Sequence, residues 1–303
     1  AGISVARKLG FPDVILPGDI RNDVFITLEK GDFEKGGRAA GRNVEVTATV
    51  LLSDGTVVEN CIYAGSGSKG SNEYNSLILY HNNNPTWNET FRLNIPIDKF
   101  HDCHVLFVFK HCSTATHVRE KGKKPFGFAF LKPLKTNGTT IVNDRHQLNF
   151  YKIGILDYKN PGKYLSQPST VTDLTWTINQ DSLSHSVRSS RESFSLFTLT
   201  CSTKLTQNLD LVGLLRWRQE KDKIPEVLAS LVNVRGDEIM KFLQDILDAL
   251  FAILNEDTEA SGMLVFNNVI YIINLLLDAK YEEFQAVLNT YINQHFSAAL
   301  AHR

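Results

Sequence analysis

Val44-Glu45-Val46-Thr47-Ala48-Thr49-Val50-Leu51-Leu52-Ser53-Asp54-Gly55-Thr56-Val57-Val58-Glu59-Asn60-Cys61-Ile62-Tyr63 reads as two β-branched runs around a tight turn. Gly takes positive φ cheaply, so Asp54-Gly55 is a strong two-residue hairpin signal. Strands are therefore expected over 44–52 and 57–63. Working outward, 24–28, 77–80, 90–95, 105–109 and 126–131 have the same character. Asn137-Gly138 marks a second tight turn before a strand expected over 146–151, and 193–201 alternates apolar and polar residues at period two. Short strands at this spacing, with no helical pattern between them, predict an antiparallel sandwich or barrel. Residues 154–192 are rich in Gly, Pro, Ser, Thr and Asn, with 174–178 as an apolar island, and read as a long, partly flexible excursion.

From Asn208 the period changes. Leu209, Leu211, Val212, Leu214 and Leu215 have helical spacing behind a capping asparagine. Four more helical segments are expected over 224–232, 237–255, 263–277 and 281–296. Such helices build either a bundle or the opening of a solenoid, and periodicity does not separate the two. The chain thus reads as β + α, with a sandwich domain over 1–205 and a helical domain over 206–303.

Composition fits two soluble domains: 303 residues, 43% hydrophobic and 21% charged. The net charge of −1 hides an asymmetry. Residues 1–205 carry 24 basic against 19 acidic side chains, a net of +5, and 206–303 carry 8 against 14, a net of −6. Cys61, Cys103, Cys112 and Cys201 form no C-x-x-C pair and read as reduced thiols of a cytoplasmic protein. No signal pattern opens the chain. The most apolar run, 265–277, is interrupted by Asn267, Asn268 and Asn274, so membrane contact is expected to be peripheral. No nucleic-acid partner is expected.

Two loops carry the candidate chemistry. The stretch 30–42 is glycine-rich and offers Lys30, Lys35, Arg38 and Arg42. Arg and Lys supply charge-assisted hydrogen bonds to phosphate, and Gly lets the backbone approach. A second loop offers Lys110, Arg119, Lys121, Lys123 and Lys124 against Glu120. If alternate connections meet at one end of the sandwich, both loops line one surface. Each cation near an anionic membrane is worth about 1 kcal/mol. The bland reading is a pair of solvated loops. Calcium needs several converging carboxylates, and Asp32, Glu34 and Glu120 do not supply them. His101, Cys103, His104, His111 and Cys112 resemble a metal cluster on paper, but an extended strand would hold His104 and His111 ~23 Å apart. Gly65–Ser71 fails the phosphate-loop pattern. No catalytic arrangement, metal or cofactor is expected.

Pro85-Thr86-Trp87-Asn88-Glu89-Thr90-Phe91 resembles a signature of C2 domains. More specifically, the chain resembles the first homology region of the dedicator-of-cytokinesis family of Rho-GTPase exchange factors. The stretches are LPGDIRNDVFITLEKGDFEKGGRAAGRNVEV (16–46), SLILYHNNNPTWNETFRLNIPID (76–98), FGFAFLKPLKTNGTTI (126–141) and CSTKLTQNLDLVGLLRWR (201–218). KFLQDILDALFAIL (241–254) and TYINQHFSAALA (290–301) continue it, and LEKGDFEKGGR (28–38) with YHNNNPTW (80–87) and FKHCST (109–114) looks nearest to the B subfamily. The resemblance implies a type II C2 sandwich that binds phosphatidylinositol trisphosphate of the inner leaflet, with Lys35, Arg38 and Arg42 in the first loop. It implies armadillo-like repeats after 206. Exchange on Rac or Rap is implied only for a separate catalytic region that nothing here resembles, so this chain is expected not to be an enzyme. The expected role is membrane targeting and scaffolding of a Rac/Rap exchange factor, recruited peripherally to the plasma membrane and connected to the rest of that factor. The alternative is a scaffold for a protein partner or self-association, with lipid binding incidental.

Overall fold

β2, Val44–Leu52, is the spine of the first unit: it pairs antiparallel with β6, Cys103–Cys112, over nine consecutive positions, from Val44 opposite His111 to Leu52 opposite Cys103. The computed structural model describes residues 20–35, 41–65, 67–113, 122–173, 189 and 191–295. The remaining strands are β1 (Asn22–Asp32), β3 (Ile62–Tyr63), β4 (Glu73–Asn75), β5 (Thr86–Leu93), β7 (Lys123–Leu131), β8 (Arg145–Leu148), β9 (Tyr151–Lys152) and β10 (Ser193–Ser202). They form two five-stranded sheets, ordered β3-β5-β1-β10-β8 and β4-β2-β6-β7-β9, antiparallel wherever the register is described. Phe107 and Phe109 on one sheet pack against Phe194 on the other, with ring centroids 5.3 and 4.9 Å apart. This is the expected sandwich.

Three details depart from the expectation. The Asp54-Gly55 turn forms, with Gly55 at φ +92° and the Leu52 amide bonded to the Thr56 carbonyl. The expected strand 57–63 does not follow it. Asn60 at φ +54° breaks the run, and Ile62–Tyr63 joins β5 in the other sheet. Residues 77–80 are an edge bulge that bridges to β2 through Leu79 opposite Val44. The excursion is not loose where it is described. Helix α1 (Pro161–Tyr164) brings Tyr164 onto the outer face of β6 and β7, where it packs on Phe128 and Phe130 beside Tyr151. β6 is therefore covered on both faces, which is why its run is continuously apolar. Residues 174–188 and 190, including the apolar island, lie outside the described residues.

The second unit comprises Lys135–Thr140 and Cys201 onward, whereas the first holds Asp23–Leu134 and Ile141–Thr200. Its helices are α2 (Leu209–Leu215), α3 (Ile224–Ser230), α4 (Gly236–Lys241), α5 (Leu243–Glu256), α6 (Thr258–Leu276) and α7 (Gln285–Thr290). The Asn208 side chain caps α2 by accepting from the Leu211 amide at 2.9 Å. The segment expected as one helix over 237–255 is split at Phe242, whose backbone leaves helical geometry as its ring enters the core. The asparagines do not interrupt α6. Over Glu259–Leu276 it is long and apolar enough, by length and composition, to cross a membrane. Val265, Ile272 and Leu276 are nonetheless buried in the helical core, and Asn268 donates to the carbonyls of Leu228 (2.8 Å) and Leu264 (2.9 Å).

Candidate lipid-binding end of the sandwich

The register brings the described ends of both basic loops to one end of the sandwich. β1 runs out at Asp32 and β2 begins at Val44, opposite His111 near the end of β6, while Cys112 faces Lys123 where β7 begins. The connections β1–β2 and β6–β7 therefore leave the same edge of the sandwich.

Beneath this end lies a plug of aromatic rings. Phe33, the first residue after β1, sits 5.2 Å from Phe109, 5.6 Å from Phe126 and 5.8 Å from Phe150. The Phe150 ring occupies the space a Cβ would need at Gly127, so only glycine fits there. Arg42 lays its guanidinium over Phe126, 4.2 Å from the ring centroid, and its Nε donates to the Glu34 carbonyl at 2.7 Å. That bond closes the base of the first basic loop.

The loop base is clamped by the asparagine run 82–84. The Phe33 amide donates to the Asn83 carbonyl (2.9 Å), the Arg42 amide to the Asn83 side chain (2.8 Å), and the Asn82 amide to the Arg42 carbonyl (2.9 Å). Gly41 is required here because a Cβ would collide with the His81 carbonyl. Two ends of one loop are thus pinned to one residue, Asn83, which fixes where its cations start and stop.

Lys35 and Lys124 are exposed and form no ion pair among the described residues; Lys30 is exposed on β1 opposite Thr86. Lys110 is half-buried on β6, between Glu45 and Pro125. Lys123 is committed elsewhere. Its ammonium sits 2.7 Å from the buried Glu45 carboxylate, and that hydrogen bond raises its pKa above the usual lysine value. Removing it would leave a buried carboxylate unpaired, so Lys123 is first a structural residue. Arg38, Arg119 and Lys121 lie outside the described residues.

Sequence reasoning missed two further cations. Lys152 and Arg191 reach Glu34 at 3.3 and 3.1 Å, and their hydrogen bonds, Arg191's the stronger, hold its carboxyl below the usual range. Lys152 also pairs with Glu192. No local pattern marks them, because they arrive from β9 and from the segment before β10. Their proximity to Glu34 is a tertiary fact. The histidines and cysteines of β6 are spread along the strand: His111 Nδ1 accepts from the Asn43 amide, whereas His104 Nε2 meets the Tyr164 hydroxyl at 2.6 Å.

Residues 17–210 match the family described as the C2 domain in Dock180 and Zizimin proteins, and 220–303 match the dedicator of cytokinesis TPR region. The chain is 49% identical over 304 residues to human dedicator of cytokinesis protein 3, and 44% identical over 304 residues to mouse dedicator of cytokinesis protein 4. Both alignments cover all of this chain and 15% of the relative, so the chain spans about 15% of the length of the relatives it matches. Among solved structures, a C2 domain of plant extended synaptotagmin 1 aligns with 60% of this chain and 95% of its own length, at 10% identity and a TM-score of 0.34. The helices carry the TPR description where the resemblance implied armadillo-like repeats; both names denote helical solenoids. A C2-type sandwich over the first two-thirds and a helical-repeat match over most of the rest place the chain in the dedicator of cytokinesis family.

Proposed function

We propose that the sandwich binds phosphatidylinositol trisphosphate through its cationic end, without calcium, and that these residues are the membrane-targeting and scaffold region of a Rac/Rap exchange factor. In this reading the exchange reaction belongs to other parts of the protein, and recruitment is from the cytoplasm to the plasma membrane. The observation that carries it is the gathering of Lys30, Lys35, Arg42, Lys110 and Lys124 around one rigid, aromatic-backed edge. Phosphate oxygens accept charge-assisted bonds from such donors, and a preformed base lowers the ordering cost.

The test is sedimentation with vesicles of matched total charge, with and without the trisphosphate. The native chain should bind selectively, and Lys35/Arg38/Arg42→Ala should lose that binding. Because Arg42 also packs on Phe126, a Lys35/Lys124→Ala variant keeps the fold out of the question. It should weaken binding tenfold or more, given about 1 kcal/mol per cation. Binding indifferent to the trisphosphate would sink the reading.

The helical unit presents a different surface. Met263, Phe266, Ile270, Ile273 and Leu277 are exposed along α6 and its C-terminal end at helical spacing. A stripe of this size favours protein contact, and in that reading the chain serves partner binding or self-association. Light scattering that shows a mass above the monomer, reduced by Phe266→Glu, would support it. A monomer in both cases would count against self-association.

A further inference from the structure

The cationic end has an apolar neighbour. On the bulge that follows β4, Leu77, Ile78 and Tyr80 are 69%, 42% and 69% exposed, an unusual grouping on the edge of a soluble sheet. Their exposure is not looseness. The Ser76 amide donates to the Val46 carbonyl at 2.9 Å, and the Val46 amide to the Ser76 hydroxyl at 2.9 Å. The Leu77 amide donates to the Glu89 carboxylate at 3.0 Å, and the Leu77 carbonyl accepts from the Trp87 indole at 3.0 Å. Leu79 bridges to Val44, and the His81 amide donates to the Asn43 side chain at 2.8 Å. His81, at φ +48°, stacks its ring on Tyr80 with centroids 3.8 Å apart. The backbone is anchored on both sides while the three large side chains are held outward.

The anchor points identify the neighbourhood. The same backbone continues into Asn82 and Asn83, which clamp both arms of the first basic loop. Apolar side chains and loop cations therefore share one rim. Resting on the lipid reading above, we propose that Leu77, Ile78 and Tyr80 form an apolar anchor that enters the interfacial layer of an anionic bilayer while the cationic end holds the headgroup phosphates. Charge complementarity selects this occupant: a bilayer offers phosphates beside hydrocarbon in the same plane, matching cations beside Leu, Ile and Tyr. Aliphatic groups gain by entering the acyl boundary, and a tyrosine ring with a polar tip is at home at the interface.

The experiment compares the native chain with Leu77→Ser/Ile78→Ser/Tyr80→Ser in two assays. One is sedimentation with phosphatidylcholine–phosphatidylserine vesicles carrying phosphatidylinositol trisphosphate. The other is calorimetric titration with the soluble inositol tetrakisphosphate headgroup. The expected result is unchanged headgroup affinity with vesicle affinity lowered tenfold or more, from the apolar area that no longer leaves water. If both chains bind headgroup and vesicles equally well, the anchor is overturned and the bulge is an edge facing protein. If the native chain binds neither, the lipid reading itself has failed and the anchor with it. Should the triple variant misfold, Leu77→Ser and Tyr80→Ser singly carry the same comparison, since neither side chain belongs to the core.

Discussion

His104 shows how a residue that looks chemical in the sequence is structural in the fold. It lies on the covered outer face of β6, fully buried, with Nε2 at 2.6 Å from the Tyr164 hydroxyl. Burial, helped by nearby Lys132 and opposed by Asp102, pushes its pKa down from 6.5 to about 4. A base depressed in this way contributes its full stability above the unfolded value of 6.5. That stability is lost as the pH falls toward about 4, because the unfolded chain takes up a proton the native state refuses. The slope approaches about 1.4 kcal/mol per pH unit inside that window. Urea unfolding at pH 7.0, 6.0 and 5.0 should therefore show a steeper loss for the native chain than for His104→Gln, whose amide can still meet Tyr164. Equal slopes would mean that α1 undocks without resistance and that the imidazole is already hydrated.

At the level of elements, the stretch Pro85–Phe91 depends on one backbone irregularity. Leu28 faces Glu89 and Lys30 faces Thr86, so Trp87 and Asn88 together oppose Glu29 in a β-bulge. Asn88 occupies φ +53°, a left-handed conformation that Asn and Gly tolerate and β-branched residues do not. The bulge turns Trp87 inward and sets Glu89 to accept from Tyr74 at 2.6 Å. Asn88→Gly should be nearly neutral, whereas Asn88→Val should cost about 1–3 kcal/mol in denaturant unfolding. Equal costs would show that the strain is relieved elsewhere. Strands such as β2, β6, β7 and β10 were legible because burial on one or both faces imposes period two or a continuous apolar run. The segments 57–63 and 77–80 have the same composition. Asn60 and the Leu77 bulge divert them through local backbone geometry, which hydrophobic pattern does not encode. The site followed the same rule: Lys35 and Arg42 announce themselves by loop composition. Asn83, Lys152 and Arg191 join the candidate site only once three other segments converge on the loop.

For the chain as a whole, a net charge of −1 gives no long-range pull toward an anionic surface, so on the proposed lipid reading attraction must come from a local field. At physiological salt that field reaches only about 8 Å, which makes the composition of one edge decisive. Glu34 is the counterweight on that edge, since its carboxylate engages both Arg191 and Lys152. Glu34→Gln should remove that opposing charge and tighten binding to trisphosphate vesicles about fivefold, from about 1 kcal/mol per unit charge. Glu226→Gln, an exposed position on α3, changes the net charge of the chain equally but lies in the helical unit. It should leave vesicle binding unchanged. Equal gains in the two variants would make total charge the controlling quantity. A gain in neither would remove this end of the sandwich as the lipid surface, because a cationic site freed of a carboxylate that engages two of its cations must bind anions more tightly.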